Sequence, residues 1–252
     1  MRILTLGGTT EASILARLLV GDARFDATLS LAGRTASPKP QPIATRVGGF
    51  GGPAGLADWL AKERIDAVID ATHPFAARIS ANAVEACRRV GLPLVSVVRP
   101  AWQAGAGDDW RDVGSADEAA LVLGLAPRRV FLGVGRQELH PFAAAPQHHY
   151  VARVIDLPGE ERLPPDIRLV QARGPFERAA ERDLLAAERI DVVVTKNSGG
   201  SATFAKVEAA RDLGLPVIMV ARPHKPTGHV VSTPEDALRW LAEGRGPSLR
   251  GV

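Results

Sequence analysis

The feature that most constrains this chain is an internal repeat. Glu63-Arg64-Ile65-Asp66-Ala67-Val68-Ile69 is matched by Glu188-Arg189-Ile190-Asp191-Val192-Val193-Val194, 125 positions further on (63 to 188). Glu85-Ala86-Cys87-Arg88 with Gly91-Leu92-Pro93 is matched by Glu208-Ala209-Ala210-Arg211 with Gly214-Leu215-Pro216, 123 positions on (85 to 208). The difference belongs in a loop between the two blocks. Both copies run on into an apolar stretch and an Arg-Pro pair, Arg99-Pro100 and Arg222-Pro223. Weaker matches join Arg2-Ile3-Leu4-Thr5-Leu6 to Arg129-Val130-Phe131-Leu132-Gly133, and the residues around Val113 to those around Val231. A period near half the chain excludes a solenoid, whose repeats run to roughly 20–50 residues. It implies two copies of one unit, residues 1–125 and 126–252, meeting near Leu125-Ala126-Pro127.

Short apolar runs at 3–6, 27–31, 67–70 and 94–98 alternate with helical periodicity at 10–19, 56–63 and 77–90. That order implies a parallel sheet with helices on both faces. The expected fold class is α/β: two Rossmann-like parallel-sheet units related by internal duplication, with an active-site cleft between them. The pieces around Val113 and Val231 each follow an Arg-Pro pair and could be exchanged between the sheets.

Composition narrows the function. With 46% hydrophobic and 23% charged residues the chain is globular, and with 5% aromatics its core must come from Ala, Val, Leu and Ile. A net charge of +3 suits anionic small ligands. No Lys/Arg block and only one Tyr argue against a nucleic-acid partner. The lone cysteine, Cys87, reads as a small buried apolar residue, and no His/Cys spacing suggests a metal. No apolar run reaches spanning length, so no membrane partner is expected and the cytoplasm is the expected location. A monomer or small homo-oligomer is expected.

In parallel sheets ligands gather beyond the C-terminal strand ends, and the candidate residues fall there. After the first strand, Gly7-Gly8-Thr9-Thr10-Glu11-Ala12 suits a phosphate: glycines for close backbone approach, hydroxyls, and the positive end of a helix. It departs from G-x-G-x-x-G/A in carrying Thr9 at the middle glycine. After the second strand, Arg34 stands where an NAD site would place an acidic residue, which favours the 2′-phosphate of NADPH. After the third, Asp70-Ala71-Thr72-His73-Pro74 should bring Thr72 and His73 into the same crevice, with Pro74 able to start a helix. In the second copy the corresponding loops are Gly133-Val134-Gly135-Arg136 and Thr195-Lys196-Asn197-Ser198-Gly199-Gly200, rich in donors and small residues that would cradle anions, before a helix that includes Lys206. Arg99, Arg222 and Lys225 could add positive charge or brace turns.

These motifs together resemble precorrin-6A reductases: L-G-G-T-T-E-A at the start, D-A-T-H-P-F-A, the R-P-A-W at 99–102, and T-K-N-S-G-G with K-x-E-A-A-R at 206–211. The resemblance spans nearly the whole chain. It implies reduction of a double bond of the precorrin-6A macrocycle to give precorrin-6B in cobalamin biosynthesis, by a reduced nicotinamide cofactor. The expected cofactor contacts are Gly7, Gly8, Thr9, Thr10, Glu11, Arg34, Thr72, His73 and Pro74. The expected contacts to the tetrapyrrole are Arg99, Gly135, Arg136, Lys196, Asn197, Ser198, Gly199, Gly200 and Arg222. His73 and then Lys196 are the candidate proton donors. The competing readings are an NADPH-dependent reductase of another anionic substrate and a non-catalytic dinucleotide sensor.

Overall fold

The computed structural model describes residues 1–33 and 38–243. In chain order they form β1 (Arg2–Leu6), α1 (Thr10–Leu19), β2 (Asp26–Leu31), β3 (Ala44–Val47), α2 (Gly52–Lys62), β4 (Ala67–Asp70), α3 (Ala77–Val90), β5 (Leu94–Val97), β6 (Trp110–Val113) and α4 (Ala116–Val122). Then follow β7 (Arg129–Gly133), two 3-10 turns (Arg136–Glu138 and His140–Ala144), β8 (His149–Val154), β9 (Ile167–Gln171), α5 (Arg178–Ala187), β10 (Val192–Lys196), α6 (Ala205–Asp212), β11 (Val217–Val220), β12 (His229–Val231) and α7 (Pro234–Ala242).

Two six-stranded sheets result, in the orders β12-β5-β4-β1-β2-β3 and β6-β11-β10-β7-β8-β9. Every pairing is parallel. The repeat equates β1 to β5 with β7 to β11, so both sheets have the same order over five strands. The sixth strand of each comes from the other copy: β12 pairs with β5, and β6 with β11. The compact units are therefore not 1–125 and 126–252. The first is Met1–Pro100 with the stretch from Pro223 onward, and the second is Ala101–Arg222. The reason is physical. The repeat records where sequence was copied, whereas compactness follows hydrogen bonding and burial, and the exchanged pieces bury their apolar residues in the sheet they join. Val113 of β6 is 3% exposed, and Ala237 of α7 is fully buried.

The repeated Glu-Arg-Ile-Asp block is an architectural device. Arg64 and Arg189 both take left-handed backbone conformations, at φ 53° and 51°, which stop α2 and α5. The isoleucines that follow turn inward, and Asp66 and Asp191 each accept the first N–H of the neighbouring strand, from Arg2 and Arg129, both at 2.7 Å. In the first unit the sheet alternates in the period of two expected of strands. Ile3 and Leu29 face α1 and α7, while Leu4, Leu6 and Val68 face α2 and α3. In the second unit Phe131, Val193, Val207 and Met219 form a core with Leu185 of α5. Cys87 is buried, and that burial pushes its thiol up to about 12. Among the described residues no helix is long and apolar enough to cross a membrane.

One difference between the units bears on function. β1 leads within a few residues into α1, whereas β7 leads into two 3-10 turns.

Candidate functional site

In the first unit β1 and β4 are neighbours, with Leu6 opposite Asp70, so their C-terminal tips adjoin. This is the point where the strand order reverses direction, the usual ligand position in open α/β sheets. Gly7 donates to Ser30 O at 3.0 Å, and a Cβ there would come within 2.5 Å of Leu29 Cδ1. Gly8 has φ +112°, and nothing lies within 4 Å of where its Cβ would be. The turn is thus tight on its inner side and open on its outer side.

Thr9 is the N-cap of α1: its hydroxyl accepts from Ala12 N at 3.2 Å and donates to Ala71 O at 2.7 Å. The expectation that Thr9 offers its hydroxyl to a ligand is corrected here, because that group ties the β1 tip to the β4 tip. Thr10 is exposed in the first turn of α1. Glu11 pairs with Arg99 at 2.6 Å, both side chains being mostly buried. Arg99 therefore sits beside α1 in the first unit.

At the tip of β4, Asp70 is 1% exposed. Its Oδ1 accepts from Thr72 N at 3.0 Å and from Thr72 Oγ1 at 2.6 Å. Lys225, from the segment leading into β12, brings Nζ to 3.0 Å from Thr72 Oγ1 and 3.4 Å from Asp70 Oδ2. His73 Nδ1 accepts from Phe75 N at 3.2 Å, so the neutral ring carries its proton on Nε2. Pro74 is buried in the turn, and α3 begins only at Ala77, so Pro74 does not start that helix. Arg34 lies outside the described residues. The rest of the expected cofactor set, Gly7 to Glu11 and Thr72 to Pro74, is assembled on these two adjacent tips.

In the second unit β7 and β10 are neighbours, with Gly133 opposite Thr195. Gly135 (φ 94°) turns the chain into the first 3-10 turn, where Arg136 donates to Leu157 O at 3.2 Å. Lys196 pairs with Glu138 at 2.8 Å. Gly199 and Gly200 both take positive φ, 67° and 70°, which only glycine adopts at no steric cost. Asn197 is a brace: its Oδ1 accepts from Trp102 N at 2.8 Å and its Nδ2 donates to Trp102 O at 3.0 Å. Arg222 Nε donates to Asn197 O at 2.8 Å, and Trp102 Nε1 to Gly200 O at 2.8 Å. Gly135, Arg136, Lys196, Ser198, Gly199 and Gly200 lie on the loops that follow the adjacent strands β7 and β10. Asn197 and Arg222 are there too, bonded to the loop's own frame.

Lys206 stands in α6, the helix that follows this loop. It is 6% exposed and lies under the loop, donating to Thr203 O at 2.6 Å and standing 5.1 Å from the Trp102 ring centroid. A side chain on Gly133 would meet its Cε at 3.0 Å, so the glycine leaves room for the lysine stem. Burial lowers Lys206 to about 7; nearby Glu181 opposes this, and the positive charges of Arg153 and Lys196 add to it. Glu181 and Arg153 form a buried ion pair at 2.6 Å. The unfolded chain keeps the lysine proton up to its ordinary range near 10.5, while the fold releases it near 7. Between those values the unfolded state binds more protons, so this residue makes stability rise with pH across that window. Thermal midpoints measured from pH 7 to 9 should show that rise in the wild type and a flatter profile in Lys206→Met. Parallel profiles would refute the assignment.

Two all-parallel doubly wound sheets, each with glycine-containing loops at its switch point, define the class as a double Rossmann-like α/β protein. A family model described as Precorrin-6x reductase CbiJ/CobK matches residues 2–242. The precorrin-6A reductase of Rhodobacter capsulatus is 52% identical over 252 residues, covering 100% of this chain and 99% of that one. The cobalt-precorrin-6A reductase of Priestia megaterium is 32% identical over 250 residues, covering 95% and 97%. A solved structure described as CobK precorrin-6A reductase superposes with a TM-score of 0.92 at 51% identity, with all of both chains covered. The chain belongs to the precorrin-6x reductase family and is an oxidoreductase.

Proposed function

We propose that this chain transfers hydride from NADPH to a carbon–carbon double bond of precorrin-6A, giving precorrin-6B on the route to cobalamin. We further propose that it does so as a cytoplasmic monomer or small homo-oligomer, without nucleic-acid or membrane partners. The observation that carries the cofactor reading is the glycine turn running into α1 at the switch point of the first unit, a pairing of loop and helix that the second unit lacks. The residues present fit the group. The open outer side of Gly8 admits a phosphate, the N-terminal N–H groups of α1 face it, and the helix dipole favours its charge. NADPH supplies the hydride. Arg34 is assigned to its 2′-phosphate.

The protein's own part is positioning and proton supply. His73 holds a proton at Nε2, and Lys196 holds one at Nζ beside Glu138. Reducing one carbon of the double bond leaves its neighbour to be protonated, and His73 is assigned that step ahead of Lys196. Gly135, Arg136 and residues 196–200 are assigned to the carboxylates of the macrocycle, through fixed charge and backbone N–H groups. The 52%-identical relative carries the cobalt-free substrate in its name and the 32%-identical one the cobalt form, which favours the cobalt-free ring here.

The test is anaerobic NADPH oxidation followed by absorbance, with cobalt-free and cobalt-containing substrate side by side. Cofactor binding without turnover on either ring would make the chain a sensor and end this reading. Lys196→Ala should raise KM or lower kcat by about ten- to hundredfold, the worth of a charge-assisted hydrogen bond. It should leave the NADPH dissociation constant, measured without substrate, nearly unchanged. A direct loss of NADPH affinity would instead assign the loop to the cofactor.

A further inference from the structure

Arg46 lies in the edge strand of the first unit, one residue from the end of β3. Its register partner on β2 is Ser30, whose own partner on β1 is Leu6, immediately before the glycine turn. The glycine turn, Ser30 and Arg46 therefore form a row across the C-terminal ends of three adjacent strands. At roughly 4.8 Å per strand, Arg46 stands about 10 Å from the turn. In an open α/β unit that binds a dinucleotide at the β1 turn, the adenosine ribose extends along this row toward the end of β2.

The guanidinium is held in place. Its Nη1 donates to Ser30 Oγ at 2.8 Å and Gly48 O at 3.1 Å, and its Nη2 to Gly49 O at 3.1 Å. One face lies 3.8 Å from the Phe50 ring centroid, and Trp59 is 5.5 Å away. These partners fix the group and cancel none of its charge. Among the described residues no carboxylate forms an ion pair with Arg46. Its burial lowers its proton affinity, with no acidic neighbour acting the other way. The contrast within the same molecule is instructive. In the second unit Val170 of β9 takes the place of Arg46, and the nearby cation, Arg153 in the place of Ser30 on β8, is closed off by Glu181 at 2.6 Å. A fixed, half-buried and uncompensated cation at the ribose end of a dinucleotide row is a site for an anion supplied from outside.

We propose that Arg46 is a specificity-determining residue that recognises the 2′-phosphate of the cofactor, through Nε and the remaining Nη2 proton. The inference rests on the NADPH reading above. It does not depend on Arg34.

Isothermal titration calorimetry with 2′,5′-ADP and with ADP tests it on the whole chain. Wild type should bind 2′,5′-ADP more tightly than ADP. Arg46→Gln should weaken 2′,5′-ADP by roughly ten- to hundredfold while changing ADP by no more than about twofold. Arg46→Lys keeps the charge but loses the fork to Ser30 and Gly48, so it should fall between, and it carries the test should Arg46→Gln fail to fold. Equal losses for the two nucleotides, or no loss for either, would overturn the proposal. Arg34→Gln in parallel separates the two arginines: full loss there with none at Arg46 also overturns it. A wild type that does not distinguish the two nucleotides would overturn the NADPH reading itself.

Discussion

Replacing Lys225 by methionine is expected to cost about 3–5 kcal/mol, the range for leaving one member of a buried ion pair without its partner. Asp70 and the Lys225 side chain are 1% and 9% exposed. Thr72 satisfies only Oδ1 of the carboxylate, and Oδ2 is buried with no hydrogen-bond partner, facing the ammonium at 3.4 Å. Methionine nearly preserves the volume, so the loss reports charge and not packing. Such a cost is a large share of the roughly 5–15 kcal/mol that holds a domain folded. The effect should reach the site, because Thr9 ties the glycine turn to Ala71, next to Asp70. Urea unfolding measures it, and the double variant Lys225→Met with Asp70→Asn should recover most of the loss. A single-variant cost below about 1 kcal/mol, the scale of an exposed pair, would show that Asp70 is held by Thr72 alone.

The same contact shows where reading the sequence stops. The central strands β1, β4, β5, β10 and β11 are legible because both faces are covered, which makes them short continuous apolar runs. β3 and β9 are edge strands with several exposed or half-exposed residues, Ala44-Thr45-Arg46-Val47 among them, and carry no such signal. Arg46 was hidden with its strand. The positions of the site loops follow from topology, since ligands gather past the strand ends. Their roles do not. Sequence does not show which hydroxyl, amide or guanidinium an internal partner will reach, and for Thr9, Asn197 and Arg222 one does. Those partners come from distant parts of the chain: Trp102 meets Asn197 across 95 positions, and Lys225 meets Thr72 across 153. The burial of Lys206 is hidden for a related reason: only the absence of a side chain on Gly133 leaves the space that takes its stem.

The strand exchange, visible in sequence only as two pieces that each follow an Arg-Pro pair, has its own sharp test in Gly228. This residue enters β12 and donates to Ser96 Oγ at 3.1 Å. A Cβ there would lie 2.1 Å from Leu94 O and 2.8 Å from Leu94 C. Both are backbone atoms of β5, so no rotamer change relieves the clash. Either β12 leaves β5 or the edge of the central sheet distorts. β12 has three residues in register with β5 and one further bond, Val98 N to Val231 O at 2.8 Å, so it has little to hold it against such a push. If it yields, α7 loses its anchor, and with it the burial of Ala237 and Leu241 against the core that includes Ile3, Leu15 and Val95. Gly228→Ala should therefore cost about 3 kcal/mol, the upper end for overpacking a rigid site. It should also expose the stretch from Pro223 to proteolysis before the rest of the chain. Gly91→Ala is the control: its glycine is left-handed at φ +68° with open space around the Cβ position, and the strain of that conformation should cost only about 1–2 kcal/mol. Equal costs for the two, with no change in the proteolytic pattern, would mean that β12 is not what seals this edge of the first unit.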